Sequence, residues 1–394
     1  MSEYTKIVLK SGKDQSVKRL HPWIFSGAIK KIYGTPAEGD VVKVYNNKDE
    51  FLGMGHYQNG SIAIRILSFS ERNIDEAFFR ERIKHAYNYR KEAGIFTDVN
   101  DTNVYRLVHA EGDFLPGLII DYYNGTAVIQ CHSAGMHQSV DTIATVLSDL
   151  YGNHLHAIYD KSAGTLPKAL APAENKYLLK QKLQNQVQEN GLSFEVDWEE
   201  GQKTGFYIDQ RDNRQTLGLL SAGKKVLNLF GYTGGFSVYA GRAGASMVHT
   251  VDGSKKAIEI ANRNMEFNCP DIPHEGFAED AFDFLQNMDH SYQVIILDPP
   301  AFAKHHKVLS NAIQGYKKLN TKAIQKIAPG GILFTFSCSQ VMSRENFKKM
   351  IFTSATHSGR KIRILKQLSQ PADHPVNIYH PESEYLKGLV LYIE

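Results

Sequence analysis

Two short motifs hold the residue types in this chain that are best suited to covalent chemistry. Asp298 opens the motif Asp-Pro-Pro-Ala-Phe, and Cys338 is the centre of a Ser-Cys-Ser motif further along the chain. Each motif follows a continuous apolar run, at residues 294–297 and 332–336, which is typical of strands buried on both faces of a parallel sheet. Ligands bind beyond the carboxyl ends of such strands, so we expect the two side chains to share a cleft. A thiolate there can attack an electron-poor ring while a carboxyl group stabilises it, which favours a pyrimidine-modifying enzyme.

A glycine-rich turn upstream predicts a cofactor site in matching order. Residues 226–230 read as a strand, the motif Gly-Tyr-Thr-Gly-Gly follows at 231–235, and a helical run begins at 236. Glycines at such a turn allow the backbone to approach a ligand closely. A second strand at 247–251 ends before Asp252, where an acid can accept hydrogen bonds from ribose hydroxyls. Asp280 follows a third strand, within reach of an adenine amine.

The glycines alone do not decide the kind of cofactor, because such a turn serves dinucleotides, flavins and S-adenosylmethionine. The spacing Gly-x-Gly-x-x-Gly is absent, which disfavours a nicotinamide cofactor held through its pyrophosphate. An acid followed by Pro-Pro and an aromatic residue is typical of nucleic-acid methyltransferases, where the rigid turn presents its groups to a flipped base. The four segments together therefore favour S-adenosylmethionine.

Each of these residues also has a purely structural interpretation. Free cysteine is among the most buried residue types, so Cys338 without its neighbours would be interpreted as a packed strand residue. Asp298 could cap a helix that begins at Pro299, and Asp252 could cap the helix expected at residues 255–268. Cys131 and Cys269 lie away from the cofactor segments, and we interpret both as structural.

Seven segments give the chain a resemblance to a known family. They are residues 21–26, 203–211, 228–236, 298–302, 336–339, 372–376 and 385–388. The chain resembles the bacterial 23S ribosomal RNA cytosine-C5 methyltransferases that carry an N-terminal PUA domain, and the resemblance covers nearly its whole length. It implies an enzyme that uses S-adenosylmethionine to form 5-methylcytidine in 23S ribosomal RNA, through a covalent cysteine adduct at cytosine C6.

One position departs from the wider group of RNA cytosine-C5 methyltransferases. Many of those enzymes have a second cysteine directly after the Pro-Pro pair, where this chain has Ala301. Another base or a water must then remove the C5 proton, and His374, in a polar segment near the C-terminus, is a candidate. Two alternative functions stay open: a guanine N2 or N7 methyltransferase, which would need no nucleophile, and a non-catalytic RNA-binding protein.

The resulting site prediction has three groups of residues. The catalytic pair is Cys338 and Asp298. The cofactor residues are Asn228, Phe230, Gly231, Tyr232, Thr233, Gly235, Asp252, Ser254, Asp280, Ala281, Asp298, Gln210 and Arg211. The substrate residues are Pro299, Pro300 and Phe302 at the turn, together with Lys18, Arg19 and Trp23 in the basic N-terminal region. No metal is predicted, because the histidines show no ligand spacing beyond the adjacent His305 and His306.

Composition agrees with an intracellular enzyme of several domains. The chain has 394 residues, 42% of them hydrophobic, and three widely spaced cysteines that form neither a disulfide framework nor a zinc signature. We therefore expect reduced thiols and a cytoplasmic location, and no apolar run approaches the roughly 18 residues of a membrane span. The net charge is +3, but residues 1–35 hold seven Lys or Arg against two acids. That surplus suits contacts with RNA phosphates, and a solvated basic face is the alternative.

An α/β fold in three parts is predicted. Residues 1–70 form a PUA-like RNA-binding β-barrel, residues 71–190 a connecting helix and a central α+β domain, and residues 191–394 a Rossmann-like methyltransferase domain. We expect helices at 75–92 and 135–150, a polar linker at 180–190, and a hairpin formed by 193–197 and 204–207. The sequence does not fix the oligomeric state, and a homodimer is compatible with it.

Overall fold

The computed structural model describes residues 4–96, 101–167, 174–302 and 309–394, so His305 and His306 lie outside the described residues. The chain divides into two compact units. The N-terminal unit comprises Met1–Asn190, Val196–Ile208 and Ala372–Ser383, and the C-terminal unit comprises Gly191–Glu195, Asp209–Pro371 and Glu384–Glu394. The predicted division into three domains stays a prediction. None of the described helices is long and apolar enough to cross a membrane.

A six-stranded sheet begins the N-terminal unit. Its strands are β1 (Thr5–Leu9), β2 (Trp23–Phe25), β3 (Ile29–Tyr33), β4 (Val41–Tyr45), β5 (Phe51–Tyr57) and β6 (Ile62–Ser68), in the spatial order β2-β6-β5-β4-β1-β3, with a short helix α1 (Gln15–Lys18). Alternate residues of β4 are buried, as expected of a strand with one face on a core. Sequence alternation predicts β4 to β6. It does not reveal β1 and β3, because their burial does not alternate along the strand.

The rest of the N-terminal unit packs helices against a second sheet. Helix α2 (Glu76–Glu92) matches the prediction, and Asp75 caps it by accepting a hydrogen bond from the Phe78 amide at 3.1 Å. The sheet has the order β11-β10-β9-β8-β7. Its strands are β7 (Val104–His109), β8 (Leu118–Tyr123), β9 (Thr126–Cys131), β10 (Ala157–Asp160) and β11 (Lys176–Lys180). Phe78 and Ile83 of α2 lie in the core cluster beneath this sheet.

Two predicted elements differ from the structure. The helix expected at 135–150 is interrupted at Ser139, which separates α3 (Ala134–Gln138) from α4 (Val140–Tyr151). The Ser139 backbone is non-helical (φ −93°, ψ 4°), and its Oγ donates a hydrogen bond to the Gly135 carbonyl oxygen at 2.9 Å. Residues 204–207 form a turn, two bends and an irregular residue, and they are not the second strand of a hairpin.

The stretch at 180–190 is not a linker, because β12 (Gln186–Glu189) lies within it and β13 (Leu192–Glu195) follows. Between these strands, Asn190 (φ 53°) and Gly191 (φ 75°) both have left-handed backbones. A two-residue type I′ turn requires this conformation at both positions, and Asn-Gly is its strongest sequence signal. The sequence thus contains a stronger hairpin signal at residues 190–191 than at Glu200-Gly201, the turn expected to connect 193–197 with 204–207.

The C-terminal unit is built on a seven-stranded sheet with the order β16-β15-β14-β17-β18-β20-β19. Its elements are α5 (Arg211–Gly218), β14 (Lys225–Leu229), α6 (Gly235–Arg242), β15 (Met247–Val251), α7 (Lys255–Asn268), β16 (His274–Phe277), α8 (Ala281–Asn287), β17 (Val294–Leu297), α9 (Leu309–Lys326), β18 (Gly331–Ser337), α10 (Arg344–Ser358), β19 (Ile362–Leu368) and β20 (Lys387–Ile393). β15, α7 and β17 have the predicted bounds.

The order of the strands creates the cleft. Strands β14 to β18 are parallel, and β20 returns antiparallel between β18 and β19. The order reverses at β14, which has β15 on one side and β17 on the other. Ligands in open α/β sheets bind at such a switch point, beyond the carboxyl ends of the strands. Both predicted motifs follow strands that end at this edge.

Candidate active site

The thiol and the acid follow neighbouring strands. β17 and β18 are paired in parallel with Leu297 opposite Thr335, so Asp298 and Cys338 leave the same edge of the sheet. The Sγ atom of Cys338 lies 4.0 Å from the main-chain carbonyl oxygen of Pro299. The structure thus brings the cysteine to the Asp-Pro-Pro turn. Residues 299–302 are not helical, so the interpretation of Asp298 as a helix cap at Pro299 is wrong.

The Asp298 carboxyl group has neutral and acidic neighbours. Gln210 Nε2 donates a hydrogen bond to Asp298 Oδ2 at 2.8 Å, and Asn213 Nδ2 holds Gln210 by donating to its Oε1 at 2.6 Å. Loss of solvent and the nearby Asp209 carboxylate raise the pKa of Asp298 to about 7, although the Gln210 hydrogen bond and the Arg214 charge oppose this rise. A carboxyl group with this pKa can act as a hydrogen-bond donor or as an anion near neutral pH.

Lys387 is a site residue that sequence reasoning missed. It opens β20 opposite Ser337 of β18, is 3% exposed, and donates from Nζ to the Ser339 carbonyl oxygen at 2.7 Å. Burial lowers the pKa of Lys387 to about 8, while the adjacent Cys338 raises it. A cation beside a thiol favours the reactive thiolate. The motif at 385–388 was visible in the sequence, but only the antiparallel return of β20 places its lysine next to the cysteine.

The other two cysteines are suited to packing. Cys131 is 0% exposed and Cys269 is 7% exposed. Burial raises the pKa of Cys131 to about 12 and that of Cys269 to about 11. Cys338, in contrast, is only partly buried. Among the three thiols, it is the one that a substrate can reach most directly.

The glycine turn after β14 has a strained backbone. Phe230 (φ 58°) and Tyr232 (φ 45°), on either side of Gly231, both lie in the left-handed region that non-glycine residues rarely adopt. A Cβ atom on Gly231 would lie 2.5 Å from Cγ2 of Thr250, so only glycine fits there. The Gly231 amide donates to the Val251 carbonyl oxygen at 2.9 Å, which fixes the turn against β15.

Asp252 is held rigidly beside this turn. Its Oδ2 accepts from the Tyr232 amide at 2.9 Å and its Oδ1 accepts from the Ser254 amide at 2.9 Å. Ser254 itself caps α7, since its Oγ accepts from the Ala257 amide at 3.2 Å. The interpretation of Asp252 as the cap of α7 is therefore wrong. The carboxylate instead connects the glycine turn to the end of β15.

The remaining predicted cofactor residues surround the same edge. Asp280 is exposed and caps α8 by accepting from the amides of Phe282 and Asp283, and Ala281 is the buried first residue of that helix. Asn228, Thr233, Gln210 and Arg211 are buried, and Gly235 is partly buried. Asn228 Nδ2 donates to Ser237 Oγ at 2.9 Å, while its Oδ1 has no hydrogen-bond partner among the described residues. Two acids after adjacent strands and a glycine turn fit the hydroxyls and amine of an adenosyl group.

The predicted substrate residues at the turn have different surroundings. Pro299 is buried and Pro300 is exposed. Phe302 packs against Tyr316, with ring centroids 4.5 Å apart, and against Phe282 at 6.3 Å. Phe302 therefore shapes the wall of the cleft from within a hydrophobic cluster.

The other predicted substrate residues lie in the N-terminal unit. Lys18 Nζ pairs with Asp14 at 2.7 Å, Arg19 is exposed, and Trp23 Nε1 donates to Glu111 Oε1 at 2.9 Å. His374, the candidate base, also lies in this unit. It is 1% exposed, and its ring centroid is 5.0 Å from that of His109. These surroundings are those of a structural histidine.

Comparison with known families agrees with this geometry. Residues 7–69 match the family of PUA-like domains, and residues 106–377 match the family of S-adenosylmethionine-dependent methyltransferases. The second match spans more than half of the chain. The chain therefore belongs to the S-adenosylmethionine-dependent methyltransferase family.

Individual relatives share almost its full length. The ribosomal RNA large subunit methyltransferase I of Aeromonas salmonicida (strain A449) is 39% identical over 398 residues, and that of Aeromonas hydrophila is 40% identical over 395 residues, with 98% of each chain covered in both cases. A solved structure from Streptococcus mutans, assigned as a SAM-dependent methyltransferase, is 26% identical with a TM-score of 0.83 over 98% of this chain and 99% of that chain. Another, assigned as a methyltransferase and complexed with SAH, is 27% identical with the same TM-score and coverage. The predicted α/β fold, PUA-like domain and cofactor are confirmed.

Proposed function

We propose that this enzyme forms 5-methylcytidine in 23S ribosomal RNA through a covalent adduct of Cys338. The observation that carries the proposal is the contact between the Cys338 thiol and the Asp-Pro-Pro turn, with Lys387 beside it. Methylation of a base nitrogen needs no nucleophile, whereas C5 of cytosine must first be activated. The names of the full-length relatives support large-subunit ribosomal RNA as the substrate.

In the proposed reaction the Cys338 thiolate bonds to cytosine C6, and the electron pair of the C5=C6 bond becomes available at C5. Asp298, as the neutral acid, donates a hydrogen bond at N3 and stabilises the negative charge that enters the ring. S-adenosylmethionine, when bound, supplies an electrophilic methyl group to C5. A water or another base then takes the C5 proton, the double bond re-forms, and Cys338 leaves C6 as the thiolate. Because Ala301 has no thiol, a second cysteine at the turn does not assist this elimination.

Two further residues prepare this site. Lys387 stabilises the thiolate through its charge, before the addition and again at departure. Gln210 orients the Asp298 carboxyl group through the hydrogen bond to Oδ2. Asp252 would accept hydrogen bonds from the ribose hydroxyls of the cofactor, and the strained turn at Gly231 would let the backbone approach it.

The N-terminal sheet is proposed to bind RNA rather than to perform chemistry. Its support is the basic surplus of residues 1–35 and the match to PUA-like domains over residues 7–69. Exposed Arg19 is the best placed of the predicted contacts, because Lys18 is already paired with Asp14. The proposed location is the cytoplasm, and the proposed oligomeric state is a homodimer. Light scattering of the purified chain measures the oligomeric state.

The test is methyl transfer to large-subunit ribosomal RNA by Cys338→Ala, with Cys269→Ala as the matched control. Bisulfite mapping of the product identifies 5-methylcytidine directly. We expect Cys338→Ala to lose the product while S-adenosylmethionine binding is kept, and Cys269→Ala to stay active. Methylation by Cys338→Ala would contradict the proposal and favour a guanine N2 or N7 methyltransferase. Absence of transfer by the wild-type enzyme would favour a non-catalytic RNA-binding protein.

A further inference from the structure

Three potential metal ligands meet in the N-terminal unit, and none of them is a residue proposed for methyl transfer. They are His21, which precedes β2, and His380 and Glu382 of the segment Ala372–Ser383. Glu382 Oε2 lies 3.6 Å from His21 Nε2 and 3.8 Å from His380 Nε2. All three ligand atoms lie within 4.8 Å of one another.

The buried histidine of this cluster lacks a hydrogen-bond partner on the atom that faces the other two ligands. His380 is 2% exposed, and its Nε2 has no hydrogen-bond partner among the described residues. A buried polar atom without a hydrogen-bond partner is unfavourable and rare in folded proteins, so such an atom indicates a missing ligand. A nitrogen lone pair at this position is what a metal ion would use.

The Nδ1 atoms of His21 and His380 have hydrogen-bond partners, as the non-ligating nitrogens of metal-binding histidines do. His380 Nδ1 lies 2.7 Å from Ser383 Oγ, to which it can donate while Nε2 keeps its lone pair. His21 Nδ1 lies 3.4 Å from the Trp23 carbonyl oxygen and 3.2 Å from the Trp23 amide nitrogen, so either tautomer finds a partner. Metal at His21 Nε2 would select the tautomer that donates to the carbonyl group.

The surroundings favour a metal cation over an anion. The Glu382 carboxylate would repel a phosphate, whereas two imidazoles and one carboxylate are a known set for Zn²⁺ that leaves a fourth position for water. Glu382 is 51% exposed, which leaves a path to solvent. The Trp23 ring packs on His380, with centroids 4.3 Å apart, and provides the apolar wall that such sites have.

We propose that His21, His380 and Glu382 bind one Zn²⁺ ion. Ligands at about 2.0–2.2 Å from a tetrahedral ion lie about 3.3–3.6 Å apart, so the site closes by small side-chain movements. The ion would join two segments from opposite ends of the sequence within one unit. It would therefore stabilise the attachment of the segment Ala372–Ser383 to the N-terminal sheet.

Calorimetric titration of the EDTA-treated full chain with ZnCl₂ tests this proposal. We expect binding of one ion per chain, weakened at least tenfold in Glu382→Gln and in His380→Gln, because even loss of an outer partner of a ligand weakens metal binding about 10–100-fold. Glu92→Gln and His85→Gln change exposed residues of α2, and they should bind as the wild type does. If His380→Gln fails to fold, Glu382→Gln alone still tests whether the cluster binds the ion.

Fluorescence gives an independent location for the ion. The chain has two tryptophans, so Trp198→Phe leaves Trp23 as the single emitter. Co²⁺ should quench Trp23 in this background, and addition of Glu382→Gln should abolish the quenching at the same concentration. Stoichiometric binding that is unchanged in Glu382→Gln, or no stoichiometric binding at all, would overturn the proposal.

Discussion

Asp121 lies within β8 of the N-terminal unit and Asp298 directly follows β17 of the C-terminal unit, and the two acids have different partners. Asp121 is 0% exposed and accepts hydrogen bonds from Arg106 Nε and Nη2, both at 2.8 Å, and from Thr204 Oγ1 at 2.5 Å. Asp298 receives one amide hydrogen bond, and its acidic neighbour Asp209 helps to raise its pKa to about 7.

The partners of Asp121 indicate an acid that stabilises the fold, whereas those of Asp298 indicate an acid that is available for chemistry. A buried carboxylate with a full set of partners is stable as an anion, and removal of a partner is costly. A carboxyl group with incomplete compensation keeps its proton near neutral pH, and such groups are concentrated at functional sites. The following changes test this contrast.

The largest expected effect is on catalysis, from Asp298→Asn. Loss of an acid that donates or accepts a proton typically lowers the rate about 10²–10⁴-fold, and we expect that loss in kcat. Wild-type activity should fall as the pH rises through about 7, because the neutral carboxyl group that donates the hydrogen bond is lost. Asp298→Asn should lack this pH dependence. Single-turnover methyl transfer between pH 6 and 9 measures both.

The same group predicts a change in stability. The folded-state pKa of Asp298 is raised, so its contribution to the free energy of unfolding is present below the unfolded pKa of about 3.9 and is lost as the pH rises through about 7. Asp298→Asn should therefore be at least as stable as the wild type at pH 8. Marked destabilisation at that pH would mean that Asp298 is a structural acid like Asp121.

Asp121→Asn, unlike Asp298→Asn, should lower the free energy of unfolding. Removal of the charge partner of Arg106 breaks a buried ion pair, which costs about 3–5 kcal/mol of the free energy of unfolding. Urea unfolding measures this change. Asp149→Asn, which alters an exposed pair with Arg80, is the control and should cost about 1 kcal/mol or less. Equal effects of the two changes would mean that the buried ion pair of Asp121 contributes no more to stability than the exposed pair of Asp149.

Lys387→Met tests whether the lysine charge stabilises the Cys338 thiolate. The lysine favours the thiolate, so its loss should lower the rate about 10–100-fold at pH 7 and less at pH 9, where the thiolate forms without help. Lys326→Met is the matched control, since Lys326 Nζ also donates to a main-chain oxygen, that of Met288, at 2.7 Å. A loss that does not depend on pH would mean that Lys387 only supports the strand.

An effect as large as that of Lys387→Met is expected on cofactor affinity. Loss of charge-assisted hydrogen bonds typically costs about 1.5–3 kcal/mol, so Asp252→Ala should weaken S-adenosylmethionine binding about 10–100-fold by calorimetry. Asp280→Ala is the comparison, and it should lose less because Asp280 is exposed and serves as the cap of α8. Unchanged affinity in Asp252→Ala would place the cofactor elsewhere.

Local signals in the sequence predict much of the C-terminal unit. β15, α7 and β17 follow from apolar runs and a helical pattern that need no distant partner. The strand ends at Asp298 and Cys338 follow in the same way, and parallel strands place both motifs at one edge. These parts of the site are set by short stretches of sequence.

Contacts between distant residues are not visible in such patterns. Lys387 reaches the thiol only because β20 pairs antiparallel with β18, and His21 meets His380 across most of the chain. The break of the helix at Ser139 depends on one backbone conformation that helical periodicity does not report. Pairing and packing, rather than propensity, decide these features.

The covalent role of Cys338 is tested most directly with RNA that carries 5-fluorocytidine at the target position. Fluorine replaces the C5 proton and blocks elimination, so the wild-type enzyme should accumulate as an RNA-linked protein, with the link at Cys338 identified by peptide mass spectrometry. Cys269→Ala should be trapped equally and Cys338→Ala not at all. A covalent complex that still forms with Cys338→Ala, or a wild-type enzyme that methylates the natural RNA but is never trapped, would contradict the account.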